Sequence, residues 1–515
     1  MMKKILLSMI IVTLAFGLIL GGCTGTEKAA TGGIFRFSDP MPVYSQFGDP
    51  LNIFGPSNYP ASISLERLIE PGDKVGTFKN VLAEDIVLGK DKTYYDIKLR
   101  KNVKFHDGTD FDATAVKWNM DRVKEAKRAE LAKVSSVSVV DKYTVRLNLT
   151  AWDSRMLNDL TRDDLFMISP TAFEANGGAE WANTHPIGTG PFVFKEIKNN
   201  QYLVWVKNTN YWQKDLPKLD GVELHSIGDP VTFTAALKAG EILGTWVSNR
   251  QTGSEIQKDP NYKVYICYPW FTQGLSMNTI DPSSAWSNLK MRQALAFALD
   301  EKTICDTLGR GFIEPRYAII TGIESTGYKN ANPYKYNLEK AKKLMEEAGH
   351  SNGFSFKLYI STGQWTGGDG DYVLAWQQQL EKLGLKMEIM PTEQVVISEM
   401  TQKPMAGNDM VTTFLRGNGV SLLEPIMESL QEGTLFDIGY SRPTEWKDLL
   451  AKALLEEDSS KQLELVKQME KIAYEQLLPY IPLQSIGLIS IMNKKAHDYT
   501  FSLGGAYLAN AWIEE

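Results

Sequence analysis

Side chains capable of chemistry are few in this chain, and their spacing gathers none of them. The five histidines, His106, His185, His225, His350 and His497, are scattered, and no two share a helix at the separation that brings imidazoles onto one metal. There is no His-Glu-x-x-His and no strand-to-helix serine elbow. Carboxylates are plentiful, but no spacing pairs two of them. Gly188-Thr189-Gly190 has the glycines of a phosphate loop without its Lys-Ser/Thr or a third glycine at dinucleotide spacing, and Pro191 removes a backbone donor. Asp369 and Asp371 offer an acidic pair that falls short of the full oxygen shell calcium takes. After Cys23 only Cys267 and Cys305 remain, too few for a disulfide framework, and two buried thiols are expected.

The rest of the composition is that of a large folded protein. The 515 residues suffice for two or three domains with sizeable cores. Hydrophobic and charged fractions of 43% and 23% are ordinary for such a chain. The net charge is −7, two units more negative without Lys3 and Lys4, and no later basic cluster suits nucleic acid. Lys3 and Lys4 precede an apolar run, Ile5 to Leu20, and then Gly21-Gly22-Cys23. That order reads as a secretory signal rather than a membrane span. Leu20 to Cys23 resembles a bacterial lipobox, which implies cleavage before Cys23, lipidation of its thiol and an extracytoplasmic protein tethered to a membrane. Thr24 to Gly33 is small and polar, as a tether would be.

The elements follow an α/β pattern. In Tyr94–Lys124, Ile97, Leu99, Val103 and Phe105 alternate with polar residues, His106 to Asp110 turns the chain, and Asp112 can cap a helix with Ala113, Val116, Met120 and Val123 on one face. Trp118 falls off that face and is expected to pack against another element. Thr144 to Leu149 alternates again. Asp229-Pro230 opens a helix that Gly240 ends, Gln293 to Leu308 reads as one helix, and Asn337 caps a helix closed by Gly349. Phe354–Ile360, Tyr372–Leu383 and Leu385–Ile389 form a βαβ unit, so the second half holds a parallel sheet. Residues 362–371 lie beyond the first of these strands, where open α/β sheets bind ligands. Tyr44, Phe47 and Tyr59 lie in a Pro- and Gly-rich segment and are expected to pack.

The wording of these elements carries further. Leu99-Arg100 followed by Val103, Phe105, His106, Asp107 and Gly108 resembles the signature of the family 5 extracytoplasmic solute-binding proteins. Ile187 to Phe192, Asn208 to Trp212, Leu237 to Glu241, the Arg292-Gln293-Ala294 helix with Asp300, and Glu339 to Gly349 resemble later motifs in family order. Ile481 to Ile491 resembles a returning crossover strand. Leu243 stands where the family has an aspartate. The resemblance covers nearly all of residues 34–515. It implies a periplasmic-binding-protein-like α/β fold of type II, with two lobes joined by crossover strands and an extra subdomain in the first lobe. The implied division is a signal peptide 1–22, a tether 23–33, a first lobe from 34–62, 179–272 and 486–515, the subdomain 63–178, and a second lobe 273–485.

The resemblance also implies a function: capture of a solute between the lobes for an ABC importer. A peptide is the leading ligand and a nickel chelate the runner-up, with an extracellular hydrolase a distant third. It implies no cofactor or resident metal, permease subunits as partners, and a monomer. Arg292 and Asp300 are expected to be structural. Trp246, Trp270, Trp365 and Arg416 are the candidate ligand-binding residues. The resemblance also places the ligand cleft beside the segment of Tyr44, Phe47 and Tyr59, which line it if they do not simply pack. Peptide receptors of the family carry an aspartate for the ligand's amine in the region matching Asn408–Gly419. Here Arg416 stands nearby instead, and an arginine favours an anionic group.

Overall fold

The computed structural model describes residues 32–40, 45–53, 57–72, 76–198, 201–247, 249–266, 271–319, 332–362, 371–416, 421–434, 437–486, 489–502 and 505–514. The first strand, β1 (Ile34–Asp39), buries Phe35 and Phe37 completely. The chain then builds a separate antiparallel unit from β2 (Ala83–Leu88), β3 (Tyr94–Leu99), β4 (Val134–Asp141) and β5 (Thr144–Leu149). Strands β6 (Phe192–Lys198), β7 (Tyr202–Lys207), β8 (Gly221–Ser226), β9 (Gly244–Val247) and β10 (Tyr262–Ile266) return it to β1. A second large sheet takes β11 (Phe271–Met277), β12 (Ser355–Ser361), β13 (Lys386–Thr392), β14 (Met410–Arg416) and β15 (Tyr480–Ile486), and β16 (Ile489–Asn493) rejoins the first. The seven-stranded sheet of lobe I runs β10-β16-β9-β1-β8-β7-β6, the five-stranded sheet of lobe II runs β13-β12-β14-β11-β15, and the subdomain sheet runs β2-β3-β5-β4.

Local sequence accounts for these elements. Ile97 and Leu99 on β3 and Val145 and Leu147 on β5 point into the subdomain core, the period-two alternation of a half-buried sheet. Asp112 caps helix Ala113–Glu125 by accepting the N–H groups of Thr114 and Ala115, and Val116, Met120 and Val123 bury against the same core. Trp118 packs edge-on against Phe173 and donates to Glu174, so its partner is the neighbouring helix Pro170–Ala175. The run expected as one helix from Gln293 to Leu308 is two, Leu289–Ala298 and Glu301–Leu308. The Asp300 side chain accepts the Thr303 N–H and starts the second helix, so local capping wins over the continuous apolar pattern.

Two strand pairs pass between the lobes. Residues 267–270 connect β10 to β11, and 487–488 connect β15 to β16. Within lobe I, β10 and β16 pair; within lobe II, β11 and β15 pair. A third link straddles the junction. Phe312 joins the lobe I cluster around Ile489 and Ile491, while Pro315 and Arg316 add to the edge of β15 at Gln484 and Leu483.

Candidate ligand cleft and the joint that frames it

The most elaborate polar construction in the described residues is a joint between subdomain and lobe I. Glu66 is buried and accepts three hydrogen bonds, from Thr189 Oγ1 at 2.8 Å, Tyr211 OH at 2.7 Å and Trp212 Nε1 at 2.9 Å. Burial pushes its carboxyl up to about 7, against the pull of those donors. His106 donates its backbone N–H to Gly188 O, and its Nε2–H to Gly190 O at 3.0 Å. Burial holds that imidazole below its usual range, so it stays neutral. Gly188 and Gly190 lie so close to the backbone of Ser64 that a Cβ on either would stand within 2.6 Å of Ser64 O. The next residue, Arg67, is fully buried. It donates to Glu70, Asp163 and the carbonyl of Arg162, and its guanidinium lies 3.6 Å from the Phe166 ring centre. The glycine turn and the Asn-x-x-Tyr-Trp segment thus converge on one carboxylate, and the signature histidine holds the glycine turn. Their work is to fasten two units, and Glu66 itself, between Leu65 and Arg67, carries no sequence signal.

The candidate cleft is set by strand direction. In lobe II, β12 runs parallel to β13 and β14, so Ser361, Thr392 and Arg416 end their strands on one edge. Phe271, the first residue of β11, pairs with Arg416 on one side and with Ile486, the last of β15, on the other. In lobe I, β1 runs parallel to β8 and β9, and Ile489 pairs with both Val247 and Ile266. The carboxyl ends of the parallel strands in both lobes therefore meet at the crossovers, the position where open α/β sheets take ligands. Arg416 stands on this edge by register, and Trp246 pairs with Ser490, one residue from Ile489. Trp270 and Trp365 lie outside the described residues, in the segments 267–270 and 363–370.

The edge is lined by polar residues that the sequence reading passed over. Thr272, Gln273, Thr412, Thr413, Gln484 and Ser485 are all buried on β11, β14 and β15, and Ser38 and Ser490 are buried on β1 and β16. Gln484 Nε2 donates to Gln273 Oε1 at 2.9 Å, leaving Gln484 Oε1 without a partner among the described residues. The Ser38 and Ser490 hydroxyls are likewise unpartnered. A buried polar atom left unpaired costs on the order of 1–3 kcal/mol, so three near one edge mark it for attention. The signal was present as polar residues inside strands otherwise patterned for full burial.

Other candidates resolve differently. Phe47 and Tyr59 are buried in the lobe I core, Phe47 against Phe194 and Trp205, so neither lines a cleft; Tyr44 lies outside the described residues. Arg292 donates to the carbonyls of Leu477 and Trp286, holding the turn after helix Ser459–Ile472, and burial pushes it down to about 10. Cys305 is a buried free thiol whose ionisation burial opposes, and Cys267 lies outside the described residues. Glu301 is buried with one donor, Trp376 Nε1 at 2.7 Å, and is pushed up to about 8 by desolvation. Gly349-His350-Ser351-Asn352-Gly353 has the residue spacing of a nucleophile elbow, but it joins helix Leu338–Glu347 to β12, the reverse of the strand-to-helix order that exposes such a serine. Among the described residues no three His, Cys, Asp or Glu side chains are grouped to hold a metal. A cavity of about 300 Å³ around Phe297, Tyr334 and Tyr474 is walled by lobe II alone, so it is not the space between the lobes.

This architecture matches known proteins. Residues 77–408 match the family described as bacterial extracellular solute-binding proteins, family 5, middle region. The glutathione-binding protein GsiB of Shigella flexneri serotype 5b is 30% identical over 436 residues, 82% of this chain and 83% of that protein, and GsiB of Escherichia coli K12 matches to the same extent. Among solved structures, DppA from Helicobacter pylori in complex with the peptide STSA superposes with a TM-score of 0.77 at 22% identity, covering 94% of this chain and 99% of that one. NikA from Brucella suis in complex with Fe(III)-EDTA gives 0.78 at 23% identity, covering 91% and 97%. The fold is that of a type II periplasmic binding protein. The chain belongs to the family 5 bacterial extracellular solute-binding proteins. Proteins of this family are extracytoplasmic receptors that work with ABC permeases, and the relatives are binding proteins rather than enzymes. No helix among the described residues is long and apolar enough to cross a membrane.

Proposed function

We propose that this chain is the substrate-binding lipoprotein of an ABC importer, anchored through Cys23, and that it captures a short peptide between its lobes. The observation that carries the reading is the meeting of parallel strand ends at the two crossovers, with Arg416 in register with Phe271 at that edge. In this reading Arg416 takes the ligand's carboxylate in a bidentate pair, and Trp246, Trp270 and Trp365 wall the cleft. The unpartnered hydroxyls of Ser38 and Ser490 and the Gln484 carbonyl supply hydrogen bonds to a peptide backbone. The kinship with glutathione-binding proteins supports a short, carboxylate-bearing peptide. Lobe closure then excludes water and presents a closed face to the permease.

A thermal-shift panel on the chain from Thr24 onward tests this. The panel holds glutathione, di- to pentapeptides, nickel with and without histidine, and oligosaccharides. A ligand at about 100 times its dissociation constant adds roughly 2.7 kcal/mol of stability. Shifts confined to peptides are expected. A shift only with nickel and histidine would overturn the peptide reading in favour of a metal-chelate receptor.

A further inference from the structure

The subdomain does not touch lobe I alone. Arg162, on the subdomain, donates through Nη1 to Glu424 Oε1 of lobe II at 2.8 Å. Glu424 is the first residue of helix Glu424–Ser429 and is 4% exposed, while the Arg162 side chain is 35% exposed, so the pair is buried on its carboxylate side and open to solvent on the other. A second bridge lies at the end of helix Thr444–Leu454. The last carbonyls of a helix have no partner within it. Here Leu454 O accepts the backbone N–H of Ser154, a subdomain residue, at 2.8 Å. Gln462 of lobe II closes the same corner, donating to Ser154 Oγ and to Ala453 O, each at 2.9 Å. Lys92 pairs with Glu457 at the rim.

We infer that the subdomain is a clasp that ties lobe II to lobe I and resists its swing away, independently of ligand. The mechanical argument has two halves. The Arg162 carbonyl accepts from the buried Arg67 at 3.0 Å, so the clasp arginine is fixed to the same joint that fastens subdomain to lobe I. Glu424 follows Arg416 by eight residues, so the other end of the clasp is on the segment that leaves the ligand edge. Subdomain and lobe I move as one body, and any swing of lobe II about the crossovers must break the Arg162–Glu424 pair and uncap Leu454. The subdomain thereby biases the receptor towards this arrangement of the lobes before a ligand arrives. The inference rests on the two-lobed architecture and not on the choice of ligand.

The test needs no ligand. Amide exchange at Ser154 and the radius of gyration from small-angle scattering are measured on the ligand-free chain from Thr24 onward, for wild type, Arg162→Gln and Gln462→Ala. Arg162→Gln leaves the backbone carbonyl held by Arg67 in place. Exchange at Ser154 roughly tenfold faster in Arg162→Gln, with a larger radius, is expected from loss of one charge-assisted bond. A smaller change in the same direction is expected in Gln462→Ala, and this variant carries the test if Arg162→Gln fails to fold. Unchanged exchange and radius in the folded variants would overturn the clasp, whatever ligand the cleft binds.

Discussion

The joint at Glu66 and the edge at Arg416 are built on opposite principles. At the joint, a dense polar cluster is almost wholly paired: three donors on one carboxylate, a histidine on a carbonyl, and an arginine on two carboxylates and a backbone oxygen, with His106 Nδ1 left without a partner among the described residues. At the edge, buried polar atoms of Ser38, Gln484 and Ser490 stand without partners among the described residues. A satisfied network specifies one arrangement and resists change, whereas an unsatisfied one has capacity to spare for something that arrives later. Three of the recognisable motifs, the His106 signature, the Gly188–Gly190 turn and the Asn208–Trp212 segment, sit at the joint. These three report where the units are fastened, and the ligand edge is written in residues that look unremarkable in sequence.

Removing the centre of the joint should have the largest effect. Glu66→Ala strands the donors of Thr189, Tyr211 and Trp212 in a buried site, and a loss of about 3 kcal/mol or more in urea unfolding is expected, with Glu66→Gln costing less. A loss under about 1 kcal/mol would mean that the joint is not a fastening.

Arg416→Ala should do the reverse, weakening peptide binding at least about tenfold while shifting stability by no more than about 0.5 kcal/mol. A variant that binds as wild type removes Arg416 from the site.

The two raised carboxyls sharpen the comparison through pH. Glu66 and Glu301 move from 4.5 to about 7 and about 8 on folding, so the folded chain binds protons that the unfolded chain has released. Their contribution is fully present below pH 4.5 and is lost as pH rises through 7 and 8. Stability should therefore fall between pH 5 and pH 8.5, by at most about 3 kcal/mol from Glu66 and about 5 kcal/mol from Glu301. Glu301→Gln should flatten that slope throughout and remove most of it above pH 7, and a slope identical to wild type would show that folding binds no proton at Glu301. The smallest effect belongs to the surface. Lys302→Ala removes an exposed pair with Asp306 on one helix and should leave the urea midpoint unchanged.

Much of the fold was legible because its signals are local. Asp112, Asp229 and Asn337 cap the helices whose starts they mark, and Gly240 adopts the left-handed conformation that ends its helix. The alternation on β3 and β5 places Ile97, Leu99, Val145 and Leu147 correctly. Three things were less legible. Asp300 breaks a helix that apolar periodicity alone would continue. Phe47 and Tyr59 sit in a Pro- and Gly-rich segment and yet are core, because long-range packing against Phe194, Trp205 and their neighbours decides their burial. Glu66 meets partners more than 120 residues away, and no local pattern can announce such a meeting. The clasp between Arg162 and Glu424 spans 262 residues and was missed for the same reason.

The most direct test of the division between fastening and capture is a titration of the best peptide from the thermal screen against wild type, Arg416→Ala and Glu66→Gln at pH 7. Binding at least about tenfold weaker in Arg416→Ala, with wild-type affinity in a destabilised Glu66→Gln, is the predicted result. Wild-type affinity in Arg416→Ala together with lost affinity in a folded Glu66→Gln would contradict it, and would place capture at the joint.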